Sequence, residues 1–127
     1  LDIDLMKQAA EVLIGKHDFS AFRSSNCSSP NTVKDIREIS IGKSNFQNTI
    51  LQIEIEANSF LQHMVRIITG TLVEAGQARI SSNDVEKALN EGDRNLAGCT
   101  APAHGLYSLK VIYPDGLVSW PLEVIDN

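Results

Sequence analysis

Two cysteines, Cys27 and Cys99, are all that this chain of 127 residues contains. So few and so far apart, they build no disulfide framework, and a reducing cytosol suits them. The three histidines, His17, His63 and His104, stand at no metal-ligand spacing from each other or from the cysteines, which argues against a zinc site. No apolar run approaches the ~20 residues of a membrane span, and no basic-then-apolar segment opens the chain. A basic excess is missing as well. Eleven Lys and Arg face 16 Asp and Glu for a net charge of −5, which counts against a free-standing nucleic-acid binder. Neither a Gly-rich phosphate loop nor a G-x-S-x-G elbow occurs. What is present, 43% hydrophobic and 21% charged residues, is the make-up of one globular domain able to bury a core without disulfides. Because the chain opens at Leu1 and not at methionine, an excised piece of something longer is expected.

The most informative stretch runs from Asn58 to Leu72. Phe60, Met64, Ile68 and Leu72 recur every four residues, with Leu61 and Val65 widening the stripe, so the spacing predicts an amphipathic helix on a core. Asn58 or Ser59 is the expected cap. Off the stripe, Arg66 is flanked one turn either way by Gln62 and Gly70. A lone arginine on a polar helix face is ordinarily solvated. The glycine is the odd feature. It costs a helix ~1 kcal/mol relative to alanine, so it is expected to make room for something beside Arg66.

Around this helix the chain reads as α+β: an antiparallel (mixed) sheet with helices packed on one face. Asp2 caps a first helix whose stripe is Leu5, Ala9, Val12 and Leu13 and whose stop is Gly15. Lys16 to Arg23 is a short aromatic segment, neither clean helix nor strand. Ser24 to Asn31 is a polar surface loop. In the strand from Thr32 to Ile41, Ile39 and Ile41 share a face while Ile36 falls on the other, which predicts a bulge. Gly42 to Asn48 turns the chain into a second strand, Ile50 to Ala57. There Leu51, Ile53, Ile55 and Ala57 point inward while Gln52, Glu54 and Glu56 point out. Leu51, Ile53, Ile55, Phe60, Met64 and Ile68 are the expected core. Further on, Ser81 and Asp84 make a capping box for a short helix burying Val85, Ala88 and Leu89. Asn90 to Ala103 is a long connection whose small residues from Ala97 onward suit close packing. A strand from Leu106 to Tyr113, the turn Pro114-Asp115-Gly116 and an edge segment from Leu117 to Leu122 complete the chain.

Generic catalytic arrangements are weak. Cys27 or Ser20 with a distant histidine could form a nucleophile pair, as in many chains of this length. Asp18 beside His17 suits an acid or base, but equally a carboxylate capping the turn around Phe19.

The order of segments carries further. His17-Asp18-Phe19-Ser20-Ala21-Phe22-Arg23, the strand pair, the Phe60-x-x-x-Met64-Val65-Arg66-x-x-x-Gly70 element and Ala101-Pro102-Ala103-His104-Gly105-Leu106-Tyr107 come in that order. Together they closely resemble the carboxyl-terminal half of the bacterial tRNA pseudouridine synthase A family. The resemblance runs from about Leu5 to Pro114 and implies half of a pseudouridine-synthase fold, with residues 1–127 a carboxyl-terminal domain. It implies a cytoplasmic homodimer that isomerises uridines of the tRNA anticodon stem-loop, with no cofactor, no metal and no membrane. The family's nucleophilic aspartate lies in an Arg-Thr-Asp-x-Gly motif of the other half, and no such string exists here; Asp18 does not match it. By the resemblance, Arg66 pairs with that absent aspartate and Leu106 is the apolar wall beside the target base. Gln62, His63, Tyr107 and Arg23 are the substrate-binding candidates. Two other classes stay open: a non-catalytic RNA- or protein-interaction domain on the same fold, and an unrelated hydrolase using Cys27 or Ser20.

Overall fold

The computed structural model describes residues 1–43 and 51–103, together with the backbone of short strands at 107–108, 111–112, 118–119 and 123–124. Helix α1, Ile3–Leu13, begins where the Asp2 carboxylate accepts the backbone N–H groups of Asp4 and Leu5, satisfying donors that a helix start leaves orphaned. It buries Met6, Ala9, Ala10 and Leu13, while Leu5 and Val12 are half-buried. This face is rotated from the expected one because α1 is packed by three neighbours, the helices α2 (Met64–Gly76) and α3 (Ser82–Glu91) and a strand. Gly15, at φ +108°, turns the chain out of the helix in a conformation that a β-carbon disfavours.

Strand β1, Gly15–Asp18, then pairs antiparallel with β2, Val33–Lys43, which pairs antiparallel with β3, Leu51–Ala57. The aromatic segment after Gly15 is therefore a strand, at the sheet's edge among the described residues, followed by the single helical turn Ser20–Phe22, not the irregular stretch its sequence suggests. The bulge in β2 is present. The register slips between Ile36 and Glu38, leaving Arg37 as the extra residue. That slip returns Ile36 to the face of Ile39 and Ile41, and these three oppose Ala57, Ile55 and Ile53 across the ladder.

The alternation of β3 is as expected, with Gln52, Glu54 and Glu56 outside. Leu51, Ile53 and Ile55 are only half-buried, however, instead of fully so. Among the described residues β3 is the edge of the three-stranded sheet, and α1 packs on β2 rather than on β3. The core lies further in, where Met6, Leu13, Phe19, Phe22, Ile36, Met64, Ile67, Ile68, Leu72 and Val85 are all sealed from solvent.

The central helix starts later than its apolar spacing suggests. Asn58 does not cap it: its side-chain oxygen accepts the N–H groups of Asp35 and Ser59, and its own N–H donates to the Asp35 carbonyl. That ties Asn58 to the sheet, a local side-chain option that competes with helix. Residues 58–63 are thereby held outside the helix, and Phe60 is 42% exposed where burial was expected. Helix α3 keeps its capping box, with Asp84 N donating to Ser81 Oγ and Ser81 N donating to Asp84 Oδ2, and buries Val85, Ala88 and Leu89.

Of the strand expected from Leu106 to Tyr113, the described parts are β4, Tyr107–Ser108, and β5, Val111–Ile112. They pair with β7, Glu123–Val124, and β6, Val118–Ser119, respectively. Leu106 and most of the turn from Gly42 to Asn48 lie outside the described residues.

Burial separates two residues of the original stripe. Met64→Ala is expected to destabilise the fold by about 2–5 kcal/mol through the cavity it leaves. Phe60→Ala should remove less than about 1 kcal/mol, since surface changes are usually small. Equilibrium urea unfolding of the two variants checks this, and equal losses would contradict the placement of Phe60.

Candidate functional site

Helix α2 enters through a tight turn in which Met64 N donates to the Leu61 carbonyl. His63 stands at its start with φ 62° and makes no side-chain cap, a left-handed conformation uncommon outside glycine. Gln62 is exposed and outside the helix, so it does not share a helical face with Arg66; its carbonyl accepts Ser24 N–H at 3.0 Å. Arg66 lies in the first turn and is half-buried. Its Nε donates to the Ala101 carbonyl at 2.8 Å, and its own carbonyl accepts Ala101 N–H at 2.9 Å. The arginine and Ala101 therefore hold each other twice.

Gly70, one turn on, is what allows this. A β-carbon there would overlap the carbonyl of Cys99 and crowd Ala101 N. The room that the sequence implied beside Arg66 is thus occupied by the backbone of 99–101. The rest of that segment is held similarly. Gly98 N donates to Thr71 Oγ1 at 2.9 Å, Cys99 N to Glu74 Oε2 at 2.7 Å, and Arg94 Nη1 to the Gly98 carbonyl at 2.9 Å. Arg94 Nη2 also donates to Thr100 Oγ1 at 3.2 Å. Thr71, Glu74 and Arg94 were not singled out by the sequence. The run of small residues from Ala97 to Ala103 was its only sign of close packing.

Beside this segment lies an open cavity of about 750 Å³, with Ser20, Arg23, Cys27, His63, Ile67, Glu74 and Arg94 in its wall. The structure brings Arg23 and His63 together here, and Arg23 Nη1 reaches the Ser29 carbonyl at 3.5 Å. Arg66 is not in the wall of this cavity; its Nε donates to Ala101. Leu106 is not among the described residues, and Tyr107 is described by its backbone alone.

Ser20, Cys27 and His63 share that wall, but no described histidine hydrogen-bonds Ser20 or Cys27. The backbone N–H groups of Ser29 and Gln62 hold the Cys27 thiol below its usual pKa, opposed by desolvation and helped by Arg23. Among the described residues this thiol is stabilised by amides and Arg23, with no base hydrogen-bonded to it as in a nucleophile pair. Asp18 fills its structural alternative. It accepts Ser20 N–H at 3.0 Å, and a hydrogen bond from the Thr32 side chain is the main reason its carboxyl lies below the ordinary value of 3.8. His17 Nε2 donates to the Ile14 carbonyl and stands edge-on to Phe19.

Two stability predictions follow from these contacts. Gly70→Ala should destabilise by about 1–3 kcal/mol through overpacking, although alanine is the better helix former; thermal unfolding reads the sign directly. Asp18 has a folded-state pKa below its unfolded one. Its stabilisation is therefore complete above about pH 3.8 and is lost as pH falls through the lower folded value. Asp18→Asn should flatten the acid limb of the stability–pH curve, and an unchanged limb would remove this role.

Taken alone, the described residues define an α+β domain that presents an arginine from the first turn of a buried helix, beside an open polar cavity. Such a surface suits binding or catalysis and specifies no reaction. The family model for tRNA pseudouridine synthase matches residues 9–114. The chain is 47% identical over 113 residues to a tRNA pseudouridine synthase A of Thermoanaerobacter sp., covering 89% of this chain and 45% of that protein. It is 43% identical over 121 residues to the Chloroflexus aurantiacus protein of the same name, covering 94% and 44%. With the Wolbachia pipientis protein the identity is 44% over 113 residues, covering 89% and 45%. The chain belongs to the tRNA pseudouridine synthase family, and it spans about half the length of the curated relatives it matches.

Proposed function

We propose that this chain is the carboxyl-terminal domain of a tRNA pseudouridine synthase and supplies one side of its active site. The observation that carries this reading is the family match across 9–114, which includes the whole Phe60-x-x-x-Met64-Val65-Arg66-x-x-x-Gly70 element. The reaction is an isomerisation. The glycosidic carbon–nitrogen bond of a uridine breaks, and a carbon–carbon bond from the same base to the same sugar carbon replaces it. The ring carbon loses a proton and the ring nitrogen gains one, so no cofactor or redox partner is needed.

Arg66 pairs with the nucleophilic aspartate of the amino-terminal half. A partly buried carboxylate needs a neighbouring cation to stay ionised and attack a flipped base. The Nε bond to Ala101 supports this role, because it fixes the plane of the guanidinium and so the direction of its fork. Leu106 provides the dry wall beside the uracil. Arg23 and His63, on the cavity next to α2, bind the RNA substrate, together with Gln62, which adjoins His63 in the sequence, and Tyr107, which adjoins Leu106. The substrate is the anticodon stem-loop of tRNA, the enzyme is a cytoplasmic homodimer, and the remaining basic surface comes from the other half or the second subunit. No described helix is long and apolar enough to cross a membrane.

This division of labour has a direct test. The isolated chain should form no pseudouridine on any tRNA, since it holds no Arg-Thr-Asp-x-Gly string. In the full-length enzyme, Arg66→Ala should slow single turnover at saturating tRNA by roughly two orders of magnitude, the scale of a lost electrostatic or positioning contact. Binding of tRNA, spread over many phosphate contacts, should change little. Arg66→Lys should restore only part of the rate, because lysine keeps the charge and lacks the fork. Turnover retained by Arg66→Ala, or pseudouridine made by the isolated chain, would place the chemistry elsewhere.

A further inference from the structure

Arg66, Gly70 and Glu74 lie four residues apart along α2 and form one row on its surface, with Thr71 adjoining it. Along this row runs the segment Gly98–Ala101, antiparallel to the helix. Gly98 and Cys99 bond to Thr71 and Glu74 near the C-terminal end, and Ala101 bonds to Arg66 near the N-terminal end. The Cys99 carbonyl is seated over Gly70 in the middle. The Ala101 carbonyl accepts from Nε at 2.8 Å, so a displacement of Ala101 turns the guanidinium with it.

Glu74 occupies a place that local rules disfavour. It stands in the last turn of α2, where the helix dipole opposes a negative charge, and it has no lysine or arginine within salt-bridge distance among the described residues; the ion pair found there is Lys87–Glu91. Its Oε2 instead accepts Cys99 N–H at 2.7 Å. Thr71 is fully buried, and its hydroxyl both donates to the Ile67 carbonyl and accepts Gly98 N–H. Arg94 braces the same segment from its other side, at the Gly98 carbonyl and the Thr100 hydroxyl. A helix position that breaks a local preference usually answers to a constraint elsewhere.

We infer that Glu74 and Thr71 are positioning residues for Arg66: by pinning Gly98–Ala101 along α2 they set the Ala101 carbonyl that orients the guanidinium. The inference rests on the proposed role of Arg66 and adds two residues that act through it. Glu74 is eight residues from Arg66, about 12 Å along the helix at ~1.5 Å per residue, too far for a direct contact. Coupling between them has to travel through the bound segment.

That distance makes the proposal testable in the full-length enzyme, with tRNA in single-turnover assays at saturating concentration. Glu74→Ala should slow the chemical step about 10- to 100-fold, as small misplacements of a catalytic group do, with the tRNA Kd within about twofold. Glu74→Gln, whose amide oxygen still accepts Cys99 N–H, should return to within about threefold of wild type. Thr71→Val, which keeps shape and loses the hydroxyl, should be slow, and Thr71→Ser should not. The decisive measurement is the double variant. Sites more than about 7–10 Å apart normally add in free energy, but Arg66→Lys placed on Glu74→Ala should add less than about half of its own logarithmic loss, because the fork is already misdirected.

An unchanged rate in Glu74→Ala and Thr71→Val overturns the proposal, as do losses that multiply independently with Arg66→Lys. Should Glu74→Ala fail to fold, the Thr71→Val and Thr71→Ser pair, combined with Arg66→Lys, carries the same comparison. A wild-type enzyme that forms no pseudouridine, by contrast, would remove the function on which the inference rests. Activity of the wild type is therefore measured first, and the two failures stay distinct.

Discussion

The carbonyl of Cys99 lies against α2 at a place where only a residue without a side chain can stand. A helix surface is normally kept from a neighbouring backbone by its β-carbons. Gly70 opens one gap in that surface, at a helix-propensity cost of ~1 kcal/mol, and through it an extended segment comes within hydrogen-bond range of the helix. Once there, its peptide groups find partners, a need greatest at the buried Gly98, since a buried peptide N–H or carbonyl left unpaired is costly. Thr71, Glu74, Arg94 and Arg66 provide them. Closing the gap would push the segment off the helix and break its bonds to Thr71, Glu74 and Arg66.

The same arrangement bears on how an acidic chain would serve the RNA-modifying role proposed above. With a net charge of −5, summed charge does not favour a polyanion. What the fold does is fix individual cations. Arg23 reaches the Ser29 carbonyl, Arg94 the Gly98 carbonyl and Arg66 the Ala101 carbonyl. A guanidinium already held by a peptide oxygen has less side-chain entropy left to lose when it meets an anion. In the proposed role that matters more at Arg66 than summed charge does, because a pairing with a carboxylate depends on direction as well as sign.

Rigid support for this comes from below. Met64, Ile67, Ile68 and Leu72 are sealed between α2 and the rest of the core, and α1 packs on both α2 and α3. Close-packed interiors transmit displacement instead of absorbing it. Among the described residues β3 is the sheet edge and Phe60 is exposed, whereas the helix that carries the candidate arginine is held by these sealed side chains.

Features governed by residues within a few positions of one another were legible in the sequence. The Asp2 cap, the Ser81–Asp84 capping box, the alternation of β3 and the bulge that reunites Ile36 with Ile39 and Ile41 all follow from short-range spacing and backbone stereochemistry. So did the need for space at Gly70, because a glycine inside an apolar helical pattern is locally unfavourable and asks for a reason. The family could be read as well, since its motifs are contiguous strings. The start of α2 could not. Asn58 has two competing uses, a helix cap or a bridge to Asp35 23 residues away, and only the pairing of β2 with β3 chooses between them. Nor could the burial of Phe60, Leu51, Ile53 and Ile55 be read, because spacing says which face a residue occupies and not what lies opposite it. The partners of residues 98–101 depend on tertiary structure for the same reason: a hydrogen bond between Glu74 and Cys99 leaves no periodic trace, and is decided by which segments the folded core brings into contact.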